Sequence, residues 1–281
     1  KTLADGLVRG LYNGSRLLPH PEEGPVKEGM PLDLYRGKPY LMGHTAEFIA
    51  QLHNISREEM DEVALRSHNN AERANKEGDF KEEIVPVEVP QKRGKPPVIF
   101  DKDEHFRPGL TMDELRKLPP AFVPKIGKVT AGNASGINDG ASAVVIMSTD
   151  KAKELGITPM ARINATGYGG CHPSVMGLSP VPAMKDLFRK YPQYSIDSFD
   201  LIELHEAFAA QYVGCEKELG NKRERTNVNG SGIGLGHPVG SSACRIMVTL
   251  IYAMKRQQKS LGLATLCGGG GVSMATVLEM L

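Results

Sequence analysis

Cysteine is scarce in this chain, and its four copies, Cys171, Cys215, Cys244 and Cys267, stand far apart. That spacing excludes a disulfide-dense secreted scaffold and offers no paired metal knuckle, so a reduced, cytoplasmic setting and no metal are expected. Charge of one sign is missing too: 34 Lys and Arg against 33 Asp and Glu leave +1 at neutral pH. A nucleic-acid surface announces itself by basic excess, so no nucleic-acid partner is expected. No apolar run reaches the length of a membrane span, and Lys1-Thr2-Leu3-Ala4-Asp5-Gly6 has neither a basic nor a hydrophobic leader segment. The chain also lacks an initiator Met, and a start inside a longer protein is expected. What remains is 281 residues, 40% of them hydrophobic, enough to bury a core in one large or two smaller domains of a soluble globular protein.

Turn signals dominate residues 1–40, where Leu17-Leu18-Pro19-His20-Pro21 and Glu22-Glu23-Gly24-Pro25 predict loop with little core. From His44 the pattern becomes helical. Ser56-Arg57-Glu58-Glu59 is a capping box, Met60, Val63, Ala64 and His68 share a face, and Gly78 stands where the helix should stop. Thr111-Met112-Asp113-Glu114 opens a shorter helix after a charged, Pro-studded strand and loop region over 84–106. Past Val129, Thr130-Ala131-Gly132-Asn133-Ala134-Ser135-Gly136 leads to Asp139-Gly140 and the apolar run Ala143 to Met147. Strands are then predicted at 161–168, 199–204, 226–230, 261–267 and 272–280, and helices at 181–191, 206–219 and 238–257, with Pro182 suited to a first turn. That alternation implies a layered α/β domain whose last two strands pair like a hairpin across a glycine run.

Three short segments carry chemistry: His205-Glu206-Ala207-Phe208, Gly236-His237-Pro238-Val239-Gly240 and Cys267-Gly268-Gly269-Gly270-Gly271. A histidine and a thiol in glycine-rich turns beside element ends are the material of acyl transfer, which needs a nucleophile, a base and oxyanion donors. Taken alone, a Gly-His-Pro turn usually holds a solvated or capping histidine, and a lone buried cysteine is usually an inert small hydrophobe. Cys215 and Cys244 read as helix packing residues, Cys171-His172 as a loop or core pair rather than a metal dyad, and His53, His68 and His105 as surface. The cations of 92–95 and 222–225 could meet phosphates, yet charged loops are usually only solvated.

The joint order reverses those odds. Thr-Ala-Gly-Asn-Ala-Ser-Gly, then Val175-Met176-Gly177, His-Glu-Ala-Phe, Asn229-Gly230-x-x-x-x-Leu235-Gly236-His237-Pro238 and Cys-Gly-Gly-Gly-Gly closely resembles the thiolases, from about Met42 to the C-terminus. The resemblance implies an α/β thiolase fold, layered α-β-α-β-α, built from two similar halves with a mainly helical loop domain inserted in the first. Residues 1–128 would be loop domain, 129–152 the end of the N-terminal half and 153–281 the complete C-terminal domain. Most of the first half would then be missing, and with it the nucleophilic cysteine.

Thiolases cleave 3-ketoacyl-CoA with CoA, or condense two acyl-CoA molecules in the reverse direction. By motif match, His237 would activate the nucleophile, and Cys267 would be the second acid/base at the α-carbon. A thiol with a free pKa near ~8.5 suits that role, since a modest shift makes either protonation state accessible near neutrality. Gly269 would offer an oxyanion-hole amide, and His205 would hold the thioester oxygen. The His-Glu-Ala-Phe form resembles degradative enzymes, including β subunits of fatty-acid β-oxidation complexes. Glu206 would orient the catalytic loop, and Phe208, Ala131, Ser135, Phe122, Met176 and Met42 would line the pocket and the pantetheine tunnel. CoA is implied as a substrate, with no bound cofactor, and a dimer or tetramer, or a companion subunit carrying the missing half, is implied as the assembly.

Departures from the pattern are few: Leu41 stands where a histidine commonly precedes the Met-Gly pair, Ser273 replaces a glycine after the Cys-Gly run, and Ala243 replaces one after Gly240. The alternative function is a non-catalytic acyl-CoA-binding or scaffolding subunit. Retention of His205, His237 and Cys267 together favours the enzyme, since a scaffold needs neither a base nor an acid thiol. A decarboxylating ketosynthase fits poorly, because that family usually pairs two histidines and lacks such a Cys-Gly run.

Overall fold

The computed structural model describes residues 40–281 with the exception of 93, so the turn-rich reading of 1–39 lies outside the described residues. The first elements are α1 (Met42–Leu52) and α2 (Arg57–Glu77), followed by a two-stranded ribbon of β1 (Val87–Val89) and β2 (Val98–Phe100). The capping box of α2 forms in both directions, Glu59 N to Ser56 Oγ at 3.0 Å and Ser56 N to Glu59 Oε2 at 2.6 Å, and Gly78 closes the helix at φ 75°. Thr111 caps α3 (Met112–Arg116) in the same way, and α4 (Thr149–Glu154) follows a long irregular stretch. In that stretch Val145 and Ile146 are exposed, at 87% and 68%.

The second part is built on a four-stranded sheet. Its strands are β3 (Ala161–Gly170), β4 (Leu201–Leu204), β5 (Leu261–Cys267) and β6 (Val272–Met280), in the order β3-β6-β5-β4. β5 and β6 form the antiparallel pair across the glycine run, and β4 lies parallel to β5. Parallel neighbours need a long crossover, here supplied by α6 (Ala209–Leu219), α7 (Gly232–Leu235) and α8 (Ser242–Gln257). The remaining helix, α5 (Pro180–Lys190), joins β3 to β4.

Strand alternation explains why the sheet is covered on both faces. Leu201, Ala264 and Leu278 point to α8 and pack with Ile246, Leu250, Ala253 and Met254. Their neighbours Ile202, Leu263 and Val277 point the other way, into the main core with Met184 and Leu187 of α5 and Val213 of α6, where α1 and α2 add Phe48, Ile49, Met60 and Val63. Among the described residues, no helix is long and apolar enough to cross a membrane.

Three expectations change here for physical reasons. Residues 226–230 do not form a strand: only an isolated bridge joins Thr226 to Ile202, because Asn227 takes a left-handed conformation at φ 53°. Its side chain instead mimics a strand partner, accepting from Leu204 N at 2.9 Å and donating to Leu204 O at 2.7 Å. His68 is not on the surface; it is 4% exposed on the inner face of α2, takes the Arg107 amide on Nδ1 at 3.2 Å and stacks on His105. The predicted helices at 206–219 and 238–257 start later, at Ala209 and Ser242, since Phe208 is still extended and 238–241 form a turn.

β3 and α5 meet at backbone distance because β3 carries glycine at the contact. A Cβ at Gly167 would stand 2.3 Å from Ala183 O and 2.6 Å from Leu187 Cβ. Gly167→Ala should therefore destabilise the fold by about 1–3 kcal/mol, seen as a lower urea midpoint. An unchanged midpoint would contradict so close a contact.

Candidate active site

His237 is fixed through its backbone and its ring. Its amide donates to Gly136 O and to Asn138 Oδ1, each at 3.2 Å, which binds the Gly-His-Pro turn to the segment after Val129. A side chain at Gly236, φ 87°, would strike Asn138 Oδ1 at 2.4 Å, so the turn requires glycine before the histidine. Ser242, at the start of α8, donates its hydroxyl to Pro238 O at 3.1 Å and lies 2.7 Å from His237 Nδ1. With that proton committed, Nδ1 is the donor and Nε2 carries the lone pair of a base.

The ring of His205 lies 4.2 Å from that of His237, centroid to centroid. His205 follows β4, and its amide continues the parallel ladder to Thr265 O at 3.0 Å, two residues before Cys267. Burial pushes the His237 imidazole down to about 4. Burial, reinforced by His237 and Arg245, holds His205 well below the ordinary histidine range. Both rings are therefore neutral at neutral pH.

Beneath His205 the next side chain turns inward. Glu206 is fully buried and accepts from Asn227 Nδ2 at 2.8 Å and from Ser67 Oγ, with Arg66 at 3.9 Å. Ser67 Oγ in turn accepts from Gly234 N at 2.9 Å and Ser231 N at 3.2 Å. One helix residue thus ties the His205 turn to the chain that leads into His237.

Cys267 ends β5 in an apolar pocket with Met176 and Ala207, against which Met42 and Phe208 pack. Phe122 meets Phe208 edge-on at 6.3 Å, and His44 meets Phe122 at 5.9 Å. The expectation that this thiol titrates near neutrality fails. At 8% exposed and in apolar surroundings, the Cys267 thiol is pushed up by burial to about 12, so it rests as the protonated acid. The following turn is closed by Gly268 N to Val272 O at 2.8 Å and Gly271 N to Gly268 O at 3.1 Å, while Gly269 is exposed with nothing within 4 Å of its Cβ position.

The structure therefore brings together His205 with His237, and Cys267 with Met176, Met42, Phe208 and Phe122; the turn 205–208 joins the two groups. Ser135 is beside them through its amide to Ala207 O at 3.0 Å, whereas Ala131 stands exposed on the preceding turn. Cys171 packs on the core and its thiol donates to Val175 O, His172 caps the short helix after it, and Cys215 is fully buried in α6. Arg223 and Arg225 are engaged by Glu216 and Asp197. Sequence reading missed Ser242, Asn138 and Ser67. Ser242 is legible as a hydroxyl at a helix start five residues after the histidine; the other two act across long chain separations and leave no local signal.

Two family models match the chain: Thiolase, N-terminal domain, over residues 26–150, and Thiolase, C-terminal domain, over 157–280. The acetyl-CoA acetyltransferase of Cupriavidus necator is 50% identical over 240 residues, 85% of this chain and 60% of the relative. That of Thiocystis violacea is 46% identical over 284 residues, 98% of this chain and 71% of the relative. Among solved structures, the Bacillus anthracis acetyl-CoA acetyltransferase superposes with a TM-score of 0.83 at 48% identity, covering 86% of this chain and 61% of that one. Human mitochondrial 3-ketoacyl-CoA thiolase in complex with CoA gives 0.81 at 42% identity, covering 86% and 60%. The chain spans 60–63% of the length of the first three curated relatives. Its motifs, its fold and these matches agree: the chain belongs to the thiolase family.

Proposed function

We propose that this chain carries the base and acid half of a thiolase site, which transfers an acyl group between a 3-ketoacyl-CoA and CoA in a cytoplasmic oligomer. The observation that carries the reading is the buried thiol of Cys267, which the turn 205–208 joins to the neutral His205–His237 pair at 4.2 Å; the histidine pair alone would suit a ketosynthase as well. Coenzyme A is the proposed substrate, in keeping with the CoA bound to the human relative. Breakdown, as in β-oxidation, is the proposed direction, on the strength of the histidine at 205. The division into a loop domain to residue 128, the end of a first half at 129–152 and a second half at 153–281 belongs to the same proposal.

In this mechanism the free lone pair on His237 Nε2 removes the proton from an attacking thiol, and the imidazolium formed is short-lived because the half-buried ring disfavours its charged form. His205 donates to the thioester oxygen as charge builds there, and the Gly269 amide, which takes no part in its own turn's hydrogen bonds, faces the second oxyanion. Cys267 gives its proton to the α-carbon of the departing acetyl-CoA, the direction its protonated resting state favours. The proposed nucleophile comes from sequence other than residues 1–281, since Cys171 packs on the core with its thiol donating to Val175 O, Cys215 is buried in α6 and Cys244 sits on α8.

In the intact protein, His237→Ala and Cys267→Ala should each lower thiolysis of 3-ketoacyl-CoA by about 10²- to 10⁴-fold while leaving the unfolding midpoint of the fold nearly unchanged. Near-normal turnover by His237→Ala would refute the assignment. Because the folded imidazole of His237 is depressed to about 4, the base should stay unprotonated well below the ordinary histidine range. An NMR titration should show the His237 ring flat from neutrality down to about pH 5. A midpoint near ~6.5 would mean the site is wet.

A further inference from the structure

Behind the two histidines lies a small chamber whose polar walls are Glu203, His205, Ser231, Ser242, Arg245 and Thr249, with space for about one water molecule. Three of these walls already have partners. Ser242 serves His237 and Pro238 O, Arg245 meets Asp103 at 2.8 Å, and Thr249 Oγ1 donates to Glu83 at 2.9 Å. The other three do not. His205 Nε2 and Ser231 Oγ are buried with no hydrogen-bond partner. Glu203, 2% exposed, has no hydrogen bond to its carboxyl among the described residues.

Buried polar atoms without partners are costly, and two of them beside a carboxyl with no protein partner, around one water-sized space, are the arrangement a single bound water resolves. We propose that one water molecule in this chamber joins Glu203, Ser231 and His205 Nε2, and that Glu203 is thereby a positioning residue that sets the tautomer of His205. The donors and acceptors balance. Glu203 gives its acid O–H to the water oxygen, and the two water protons go to His205 Nε2 and Ser231 Oγ. That scheme requires Glu203 to be protonated, and its surroundings favour it: burial, then the carboxyls of Glu206 and Glu83, raise its pKa, outweighing Arg245 and Arg66.

A neutral imidazole that accepts at Nε2 carries its proton at Nδ1. The water therefore turns His205 into a fixed Nδ1–H donor rather than a ring free to present a lone pair to an electron-rich oxygen. Only this last consequence rests on the acyl-transfer reading. The tautomer itself is measured without turnover, so the two fail separately.

The test is a two-bond ¹H–¹⁵N correlation spectrum of the intact, histidine-labelled protein, with the His205 signals identified by their loss in His205→Asn. The unaltered protein should show the Nδ1–H form at His205, and Glu203→Gln, whose amide still donates to the water, should keep it. Glu203→Leu, which makes that wall apolar, should shift His205 to the Nε2–H form or to a mixture. An Nε2–H ring in the unaltered protein, or an unchanged tautomer in Glu203→Leu, would overturn the proposal. If Glu203→Leu does not fold, a crystal structure of the unaltered protein decides: a bridging water in the chamber supports the relay, and a dry chamber overturns it.

Discussion

The carboxyl group of Glu206, wholly buried between α2 and the crossover from β4, is the constraint on which the site depends. It receives Ser67 from α2 and Asn227 from the loop after α6, and Ser67 passes the connection on to the amides of Ser231 and Gly234. A buried acid of this kind is tolerated only where every partner is in place, and removing one leaves the rest unsatisfied. The network therefore acts as a rivet. It sets the level of the turn 205–208, whose outward neighbour is His205, and of the chain that delivers His237.

Desolvation then sets the chemistry. The same burial that makes both histidines neutral holds the Cys267 thiol as an acid, so the resting site has an unprotonated base and a protonated donor at neutral pH. Arg245 and His237 reinforce burial at His205, whereas burial acts alone on His237 and leads at Cys267. Water exclusion separates the two titratable roles, and it also strengthens any hydrogen bond aimed at an oxyanion within the pocket.

Much of this was legible in the sequence, and the failures share a cause. Caps are local, so Ser56, Thr111 and Gly78 announced their helices, and strand alternation announced β3 to β6 nearly in place. The strand expected at 226–230 failed because Asn227 spends its side chain on Leu204 and Glu206, a use only the tertiary structure reveals. His68 was misplaced because its charged sequence neighbours lie on other faces of α2. The protonation of Cys267 was misjudged because a thiol's pKa follows its surroundings, and Met176, Ala207 and Phe208 come from distant parts of the chain. The proposed site residues follow from motif order, whereas the groups that hold them, Asn138 and Ser67, leave no local signal in the sequence.

The most direct test of the account is a crystal structure of the intact protein with an unreactive 3-ketoacyl-CoA analogue bound. The account predicts the thioester carbonyl within hydrogen-bonding distance of His205 or the Gly269 amide, with the α-carbon against the Cys267 sulfur and His237 Nε2 open towards the thiol that attacks. A thioester lodged elsewhere, or a Cys267 still sealed from the acyl chain, would contradict it.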